Sequence, residues 1–140
     1  MNLSHHHVGL SVADLDRAEQ WYAQVLGLTG GYAFEIPAIG VRGRFMEGFG
    51  TRVELLERAG SAPGIGGQDP PDALLTRGYG HIAFATDDLD ATFRDFVERG
   101  ATPVWPPRPS PEPGVRMAFV ADPDGNLVEL LCAVPAEASD

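Results

Sequence analysis

The stretch His7-Val-Gly-Leu-Ser-Val-Ala-Asp-Leu-Asp16 decides the fold, because the chain writes it a second time as His81-Ile-Ala-Phe-Ala-Thr-Asp-Asp-Leu-Asp90. In both copies a histidine heads an apolar alternation, and an Asp-Leu-Asp triplet begins seven residues later. Self-similarity at a long period marks a duplicated supersecondary unit. Each triplet opens a run with helical spacing: Leu15, Ala18, Trp21, Tyr22, Val25 and Leu26 in the first copy, Leu89, Phe93, Phe96 and Val97 in the second. Asp14 and Asp88 stand at the N-cap positions, where a carboxylate accepts the orphan N–H groups of a first turn. Gly27 and Gly100 follow the last turns, where glycine adopts the left-handed conformation that stops a helix.

Past each helix the duplication continues. Residues 31–35, 40–47 and 51–57 read as strands in the first copy, and 102–105, 115–121 and 126–132 in the second. Each module is therefore β-α-β-β-β, about 5–58 and about 79–132, within one domain of 1–140. Between them, residues 59–78 are rich in glycine and proline and read as a surface connection. Residues 103–113 hold six of the 12 prolines and read as a stiff surface loop or the rim of a pocket, with Trp105 as an apolar contact.

Strand alternation then assigns faces. In the first strand His6, Val8, Leu10 and Val12 point one way, toward the helix, while His5, His7, Gly9 and Ser11 point the other. In the fifth, Ile82 and Phe84 face the helix and His81, Ala83 and Ala85 face away. Glu54 sits between Val53 and Leu55, and Glu129 between Val128 and Leu130, so each carboxylate projects from a strand whose neighbours are apolar. A half-buried ionised group needs a cation or several hydrogen bonds to stay charged. His7 to Glu54 spans 47 positions and His81 to Glu129 spans 48. Two imidazoles and two carboxylates at a repeated spacing, on matching faces, form a donor set for one divalent ion, and mixed N/O ligation suits Zn, Ni, Co, Mn or Fe.

Composition bounds the rest. At 44% hydrophobic and 21% charged, a chain of 140 residues folds as an ordinary domain rather than staying disordered. The formal net charge of −10 repels polyanions, which argues against nucleic acid as a partner. A single cysteine, Cys132, leaves no intrachain disulfide and reads as a small core residue near a strand end. No apolar stretch approaches the roughly 20 residues of a membrane span, so a cytoplasmic enzyme is the expectation.

Four segments carry a family resemblance: His7-Val-Gly-Leu-Ser-Val-Ala-Asp-Leu-Asp16, the strand holding Val53-Glu54-Leu55, Gly80-His-Ile-Ala-Phe84, and the turn and strand Asp122-Pro-Asp-Gly-Asn-Leu-Val-Glu-Leu130. They resemble the vicinal oxygen chelate superfamily of glyoxalase I, methylmalonyl-CoA epimerase, extradiol dioxygenases and bleomycin-binding proteins. The resemblance implies an α+β fold in which two tandem βαβββ modules form an open, curved mixed sheet around a metal cleft, helices outside. It also implies His7, Glu54, His81 and Glu129 as metal ligands, with Glu129 or Glu54 as catalytic base. The implied chemistry is that of an isomerase or lyase abstracting a proton next to a carbonyl, through an enediolate or enolate stabilised by the metal. The substrate would be a small carbonyl compound or acyl thioester, and the assembly a homodimer. A ferrous dioxygenase using His7, His81 and Glu129, and a non-catalytic small-molecule binder, are the alternatives on the same scaffold. Glyoxalase I also carries an arginine four residues after its first ligand, where Ser11 stands here, so the resemblance points away from glutathione as the carrier. Arg42, Arg44 and Arg58 are candidates to hold an anionic substrate tail, and Tyr32, Phe34, Phe45, Met46, Met117 and Phe119 to line an apolar cleft.

Overall fold

A computed structural model describes residues 1–134, and the chain divides into two compact units, Met1–Pro63 and the part from Gly64 onward. The first unit runs β1 (Val8–Ser11), α1 (Leu15–Gln24), β2 (Thr29–Ile36), β3 (Val41–Gly48) and β4 (Thr51–Arg58). The second runs α2 (Pro70–Ala73), β5 (His81–Ala85), α3 (Leu89–Glu98), β6 (Thr102–Pro109), β7 (Val115–Ala121) and β8 (Leu127–Ala133). Each unit contains one four-stranded sheet, in the order β1-β4-β3-β2 and β5-β8-β7-β6. The strand that precedes each long helix, β1 or β5, runs parallel to the module's last strand, and the other pairings are antiparallel. The βαβββ repeat expected from the sequence is thus present in both units, and the class is α+β.

Three boundaries differ from the sequence reading. His7 lies immediately before β1 rather than within a strand beginning near His5. The connection at 59–78 contains one helical turn, α2, capped by Asp69, whose side chain accepts from the Asp72 N–H at 2.9 Å. The proline run is not a free loop: β6 extends through Pro109 and pairs with β7, slipping register between Pro103 and Trp105 and again between Trp105 and Arg108. Pro106 and Pro107 fall within the second slip, and β6, as an edge strand, needs ladder hydrogen bonds on one side only, which lets it carry prolines.

Both helices begin as their caps dictate. Asp14 is extended and accepts from the Arg17 N–H at 3.1 Å, and Asp88 accepts from the Ala91 N–H at 3.1 Å. Gly27 and Gly100 follow with φ of 75° and 116°. Leu15, Ala18, Trp21, Tyr22, Val25 and Leu26 are all buried, against a sheet face that carries Met46, Val53 and Leu55. In the second unit Leu89, Ala118 and Leu130 form the buried centre, with Phe84, Phe93, Phe96 and Cys132 packed around them. Leu130 is 1% exposed there, so Leu130→Ala leaves a cavity among its packed neighbours. A loss of about 2–5 kcal/mol is expected, read from the urea midpoint of the full chain.

A carboxylate ties helix to sheet in the first unit. Glu57, on β4, accepts from the Leu15 N–H at 2.7 Å and from the Arg42 guanidinium at 3.2 Å through each oxygen. The hydrogen bonds from Arg42, then that from Leu15, hold the Glu57 carboxyl below its usual range. A group depressed in the folded state contributes stability above its ordinary pKa and loses it as pH falls through the folded value. The acid limb of a stability–pH profile is therefore expected to be shallower in Glu57→Gln than in the wild type. An unchanged limb would show that this tie carries no linkage.

Candidate metal centre

Alternation along β4 and β8 separates two faces in each sheet. Val53 and Leu55 are buried toward α1 while Glu54 and Leu56 are half-buried on the opposite side; Val128 and Leu130 pack under α3 while Glu129 and Leu131 turn the other way. The parallel pairing with the first strand of each unit then brings in a histidine. Gly9 aligns with Glu54, and Ala83 aligns with Glu129, so the residue beside each carboxylate is small. A Cβ on Gly9 would meet Glu54 Oε1 at 3.5 Å, ordinary contact distance, which shows how closely that backbone passes the carboxylate.

Two His–Glu pairs result. His7 Nε2 lies 3.5 Å from Glu54 Oε1, and His81 Nε2 lies 2.8 Å from Glu129 Oε2. The carboxylates are the better buried partners, with side chains 19% and 13% exposed. The four residues singled out in the sequence are thus brought together as one pair within each unit. Among the described residues, no group of three or more histidine, cysteine or acidic side chains gathers within metal-holding distance.

Each pair is backed by a phenylalanine. Phe45 aligns with Glu54 across β3 and β4, and its ring meets His7 edge-on at 5.2 Å. Phe119 aligns with Glu129 across β7 and β8, and its ring meets His81 edge-on at 5.4 Å. Such contacts restrict the imidazole plane and leave one ring edge directed at the carboxylate. The aromatic row continues on each face: Tyr32 stacks on Phe34 and Phe34 packs on Phe45 in the first unit, and Trp105 packs edge-on against Phe119 at 5.8 Å in the second. The Phe45 and Phe119 partnership with the two glutamates was not read from the sequence. The signal was there as a phenylalanine nine positions before Glu54 and ten before Glu129, but using it requires the hairpin lengths.

Among the described residues, the first unit's pair has polar neighbours that the second lacks. His6 Nδ1 is 2.7 Å from His7 Nδ1, and Arg52 Nη1 is 3.1 Å from His6 Nε2. Arg52 also lies over the Phe45 ring at 4.0 Å and donates to Glu47 at 2.7 Å. In the second unit the position equivalent to Arg52 is Leu127, buried with Ala73, Met117 and Phe119.

Other candidates separate clearly. Arg42 is committed to Glu57 and Asp16, and Arg44 lies 3.7 Å from Glu19. Both line a groove of about 410 Å³ beside α1, with Leu15, Asp16, Glu19 and Phe34 among its walls. Their register with Leu55 and Glu57 places them on the helix side of the sheet, away from Glu54, so the tail-binding role considered for them does not hold. Arg58 shares the Glu54 face by alternation and is exposed. Of the apolar residues, Phe34, Phe45, Met117 and Phe119 lie on the glutamate faces, whereas Met46 is fully buried against Val53 on the helix side and Tyr32 is 68% exposed.

The donor chemistry of the pairs suits a borderline divalent ion. Each unit offers one imidazole nitrogen and one carboxylate oxygen already facing each other, with an aromatic ring fixing the imidazole and a small residue leaving room beside the carboxylate.

Comparison with known proteins places the chain among relatives. A model of the Glyoxalase/Bleomycin resistance protein/Dioxygenase superfamily matches residues 4–130. A protein of Vibrio cholerae named probable lactoylglutathione lyase is 30% identical over 132 residues, covering 89% of this chain and 87% of that one. The mitochondrial methylmalonyl-CoA epimerase of Bos taurus is 30% identical over 93 residues, 66% of this chain and 52% of the relative. Among solved structures, glyoxalase I from Zea mays superposes with a TM-score of 0.73 at 27% identity, covering 92% of this chain and 44% of that chain.

Proposed function

As the chain belongs to the glyoxalase/bleomycin resistance protein/dioxygenase superfamily, we propose that it is a metal-dependent isomerase or lyase that moves a proton on carbon next to a carbonyl group. The observation that carries this reading is the duplicated His–Phe–Glu arrangement, with a carboxylate in both units. Relatives named for lactoylglutathione lyase and methylmalonyl-CoA epimerase support the reaction class. A two-histidine, one-carboxylate set of the dioxygenase type would be complete without Glu54, so the second carboxylate favours proton transfer.

His7, Glu54, His81 and Glu129 would hold the ion. Bound there, a divalent cation supplies Lewis-acid stabilisation of the negative charge that develops on substrate oxygens when the C–H bond breaks. The chain's own residues do the rest. As nitrogen ligands, His7 and His81 would leave the ion's charge largely intact, and the rings of Phe45 and Phe119 keep the imidazoles aimed. Glu129, the less exposed of the two carboxylates, is our choice for the principal base: it takes the proton and returns it to the adjacent carbon. For inversion at a single carbon, Glu54 would deliver a proton to the opposite face while Glu129 keeps the one it took. The buried Met117, Phe119 and Leu127 keep water from the carboxylate on its sheet side.

Ser11 stands where glyoxalase I carries its arginine, so the carrier thiol is proposed to be other than glutathione. The substrate class is a small carbonyl compound, as a hemithioacetal or an acyl thioester, with the protein working as a cytoplasmic homodimer. The test is incubation of the metal-loaded full chain in heavy water with methylglyoxal hemithioacetals of simple thiols and with 2-methylacyl thioesters. Deuterium entering the carbon next to the carbonyl, in product or in recovered substrate, is the expected result. Oxygen uptake on catechols without any such exchange would replace this reading with the dioxygenase one.

A further inference from the structure

We propose that Arg108, stacked on Trp105, is the anchor for an anionic group at the far end of the substrate, on the same sheet face as His81 and Glu129. This rests on the reading of that face as the reaction site.

The argument begins with the arginines. Arg42, Arg44, Arg52, Arg99 and Arg116 each lie within ion-pair distance of a carboxylate. Arg108, like Arg17, Arg58, Arg77 and Arg94, has no carboxylate within ion-pair distance among the described residues, and of these five it is the one that lies over an aromatic ring, 3.9 Å from the Trp105 centroid. Stacking costs the guanidinium none of its in-plane N–H donors, so the fork stays available while its plane is held. An arginine so ordered loses less side-chain freedom on meeting an anion than one waving in solvent.

Placement supplies the second half. Arg108 aligns with Met117, and Met117 with Leu131, which shares the Glu129 face of β8. From the His–Glu pair an unbroken aromatic row leads outward: His81 to Phe119, Phe119 to Trp105, and Trp105 to Arg108. The equivalent row of the first unit, from His7 through Phe45 and Phe34, ends instead in the uncharged and exposed Tyr32. The two halves are therefore alike at the reacting end and different at the far end. That asymmetry fits an extended substrate: a carbonyl at the His–Glu pair, an apolar thioether or acyl stretch over Phe119 and Trp105, and a carboxylate or phosphate at Arg108. On a chain of net charge −10, an anionic tail needs such a local positive contact to be held at all.

The experiment is isothermal titration of the metal-loaded full chain with two unreactive probes, S-hexyl mercaptopropionate and its methyl ester. The acid is expected to bind about tenfold more tightly than the ester at low salt, with the margin shrinking as ionic strength rises. In Arg108→Met the margin is expected to vanish while the ester binds as before. The exposure of Arg108 makes this variant a mild one for folding, and an unchanged melting temperature checks it. Equal binding of the two probes by the wild type overturns the proposal, as does a preference for the acid that survives in Arg108→Met, which would assign the carboxylate to the metal. The exchange assay above separates the two readings: acid preference lost with Arg108 but no exchange on any substrate keeps the anchor and rejects the reaction, and exchange without acid preference does the reverse.

Discussion

Glu129→Gln is expected to lower the rate of carbon–hydrogen exchange by about 10²–10⁴, the range a positioned general base supplies, while leaving the fold intact. Glutamine keeps the side-chain volume between Leu127 and Leu131 and can still hydrogen-bond His81, so the half-buried site is not left with a hole. What it lacks is a basic oxygen and a negative charge toward the ion. If Glu129 only ligates, the same variant lowers metal affinity, and excess metal restores the rate. If it is the base, saturating metal leaves the rate low. The comparison with Glu54→Gln under saturating metal ranks the two carboxylates, and a larger loss at Glu54 would reverse our assignment.

The second large effect is structural. Asp122 is 3% exposed, the one buried acidic residue of the described chain, and it organises the turn between β7 and β8. Its Oδ1 accepts from the N–H groups of Asp124 and Asn126 at 3.0 and 2.8 Å, and its Oδ2 accepts from Asn126 Nδ2 at 2.9 Å. Gly125 completes the turn with φ of 83°. In Asp122→Ala those donors lose a charged acceptor where water has little access, so a loss of about 3 kcal/mol is expected. Since this turn sets the register of β8, the variant is also expected to weaken metal binding through Glu129 even at temperatures where it remains folded. Denaturant midpoints and metal titrations on one preparation read both effects. A stability change below about 0.5 kcal/mol would mean that the turn is held by its backbone alone.

The duplication made most of this architecture legible in advance. Asp14 and Asp88 announce the helices, and a period of two places Glu54 and Glu129 opposite Val53, Leu55, Val128 and Leu130, as the burial shows. The choice of His7 over His5 and His6 rested on the seven-residue step to Asp-Leu-Asp, and His7 is the histidine that faces Glu54.

What could not be read has physical reasons. Proline content argued for a loop at 103–113, yet an edge strand with two register slips accommodates Pro103, Pro106, Pro107 and Pro109, because ladder hydrogen bonds are needed on one side only. The partnership of Phe45 with Glu54 depends on a two-residue turn, Phe49-Gly50, in which both residues have positive φ. That of Phe119 with Glu129 depends on the longer Asp122–Asn126 turn. Turn length fixes register, and neither was assigned beforehand. Arg42 and Arg44 looked like substrate ligands because charge alone does not say which face a side chain takes. Their alignment with Glu57 and Leu55 does.

The central claim is that the two His–Glu pairs are metal ligands, and titration of the metal-free full chain with Co²⁺, followed by visible absorption, tests it most directly. Saturation at stoichiometric metal, with affinity falling at least tenfold in each of His7→Ala, Glu54→Ala, His81→Ala and Glu129→Ala, is the result the account predicts. Binding that is weak and non-stoichiometric in the wild type, or unchanged in all four variants, would contradict it.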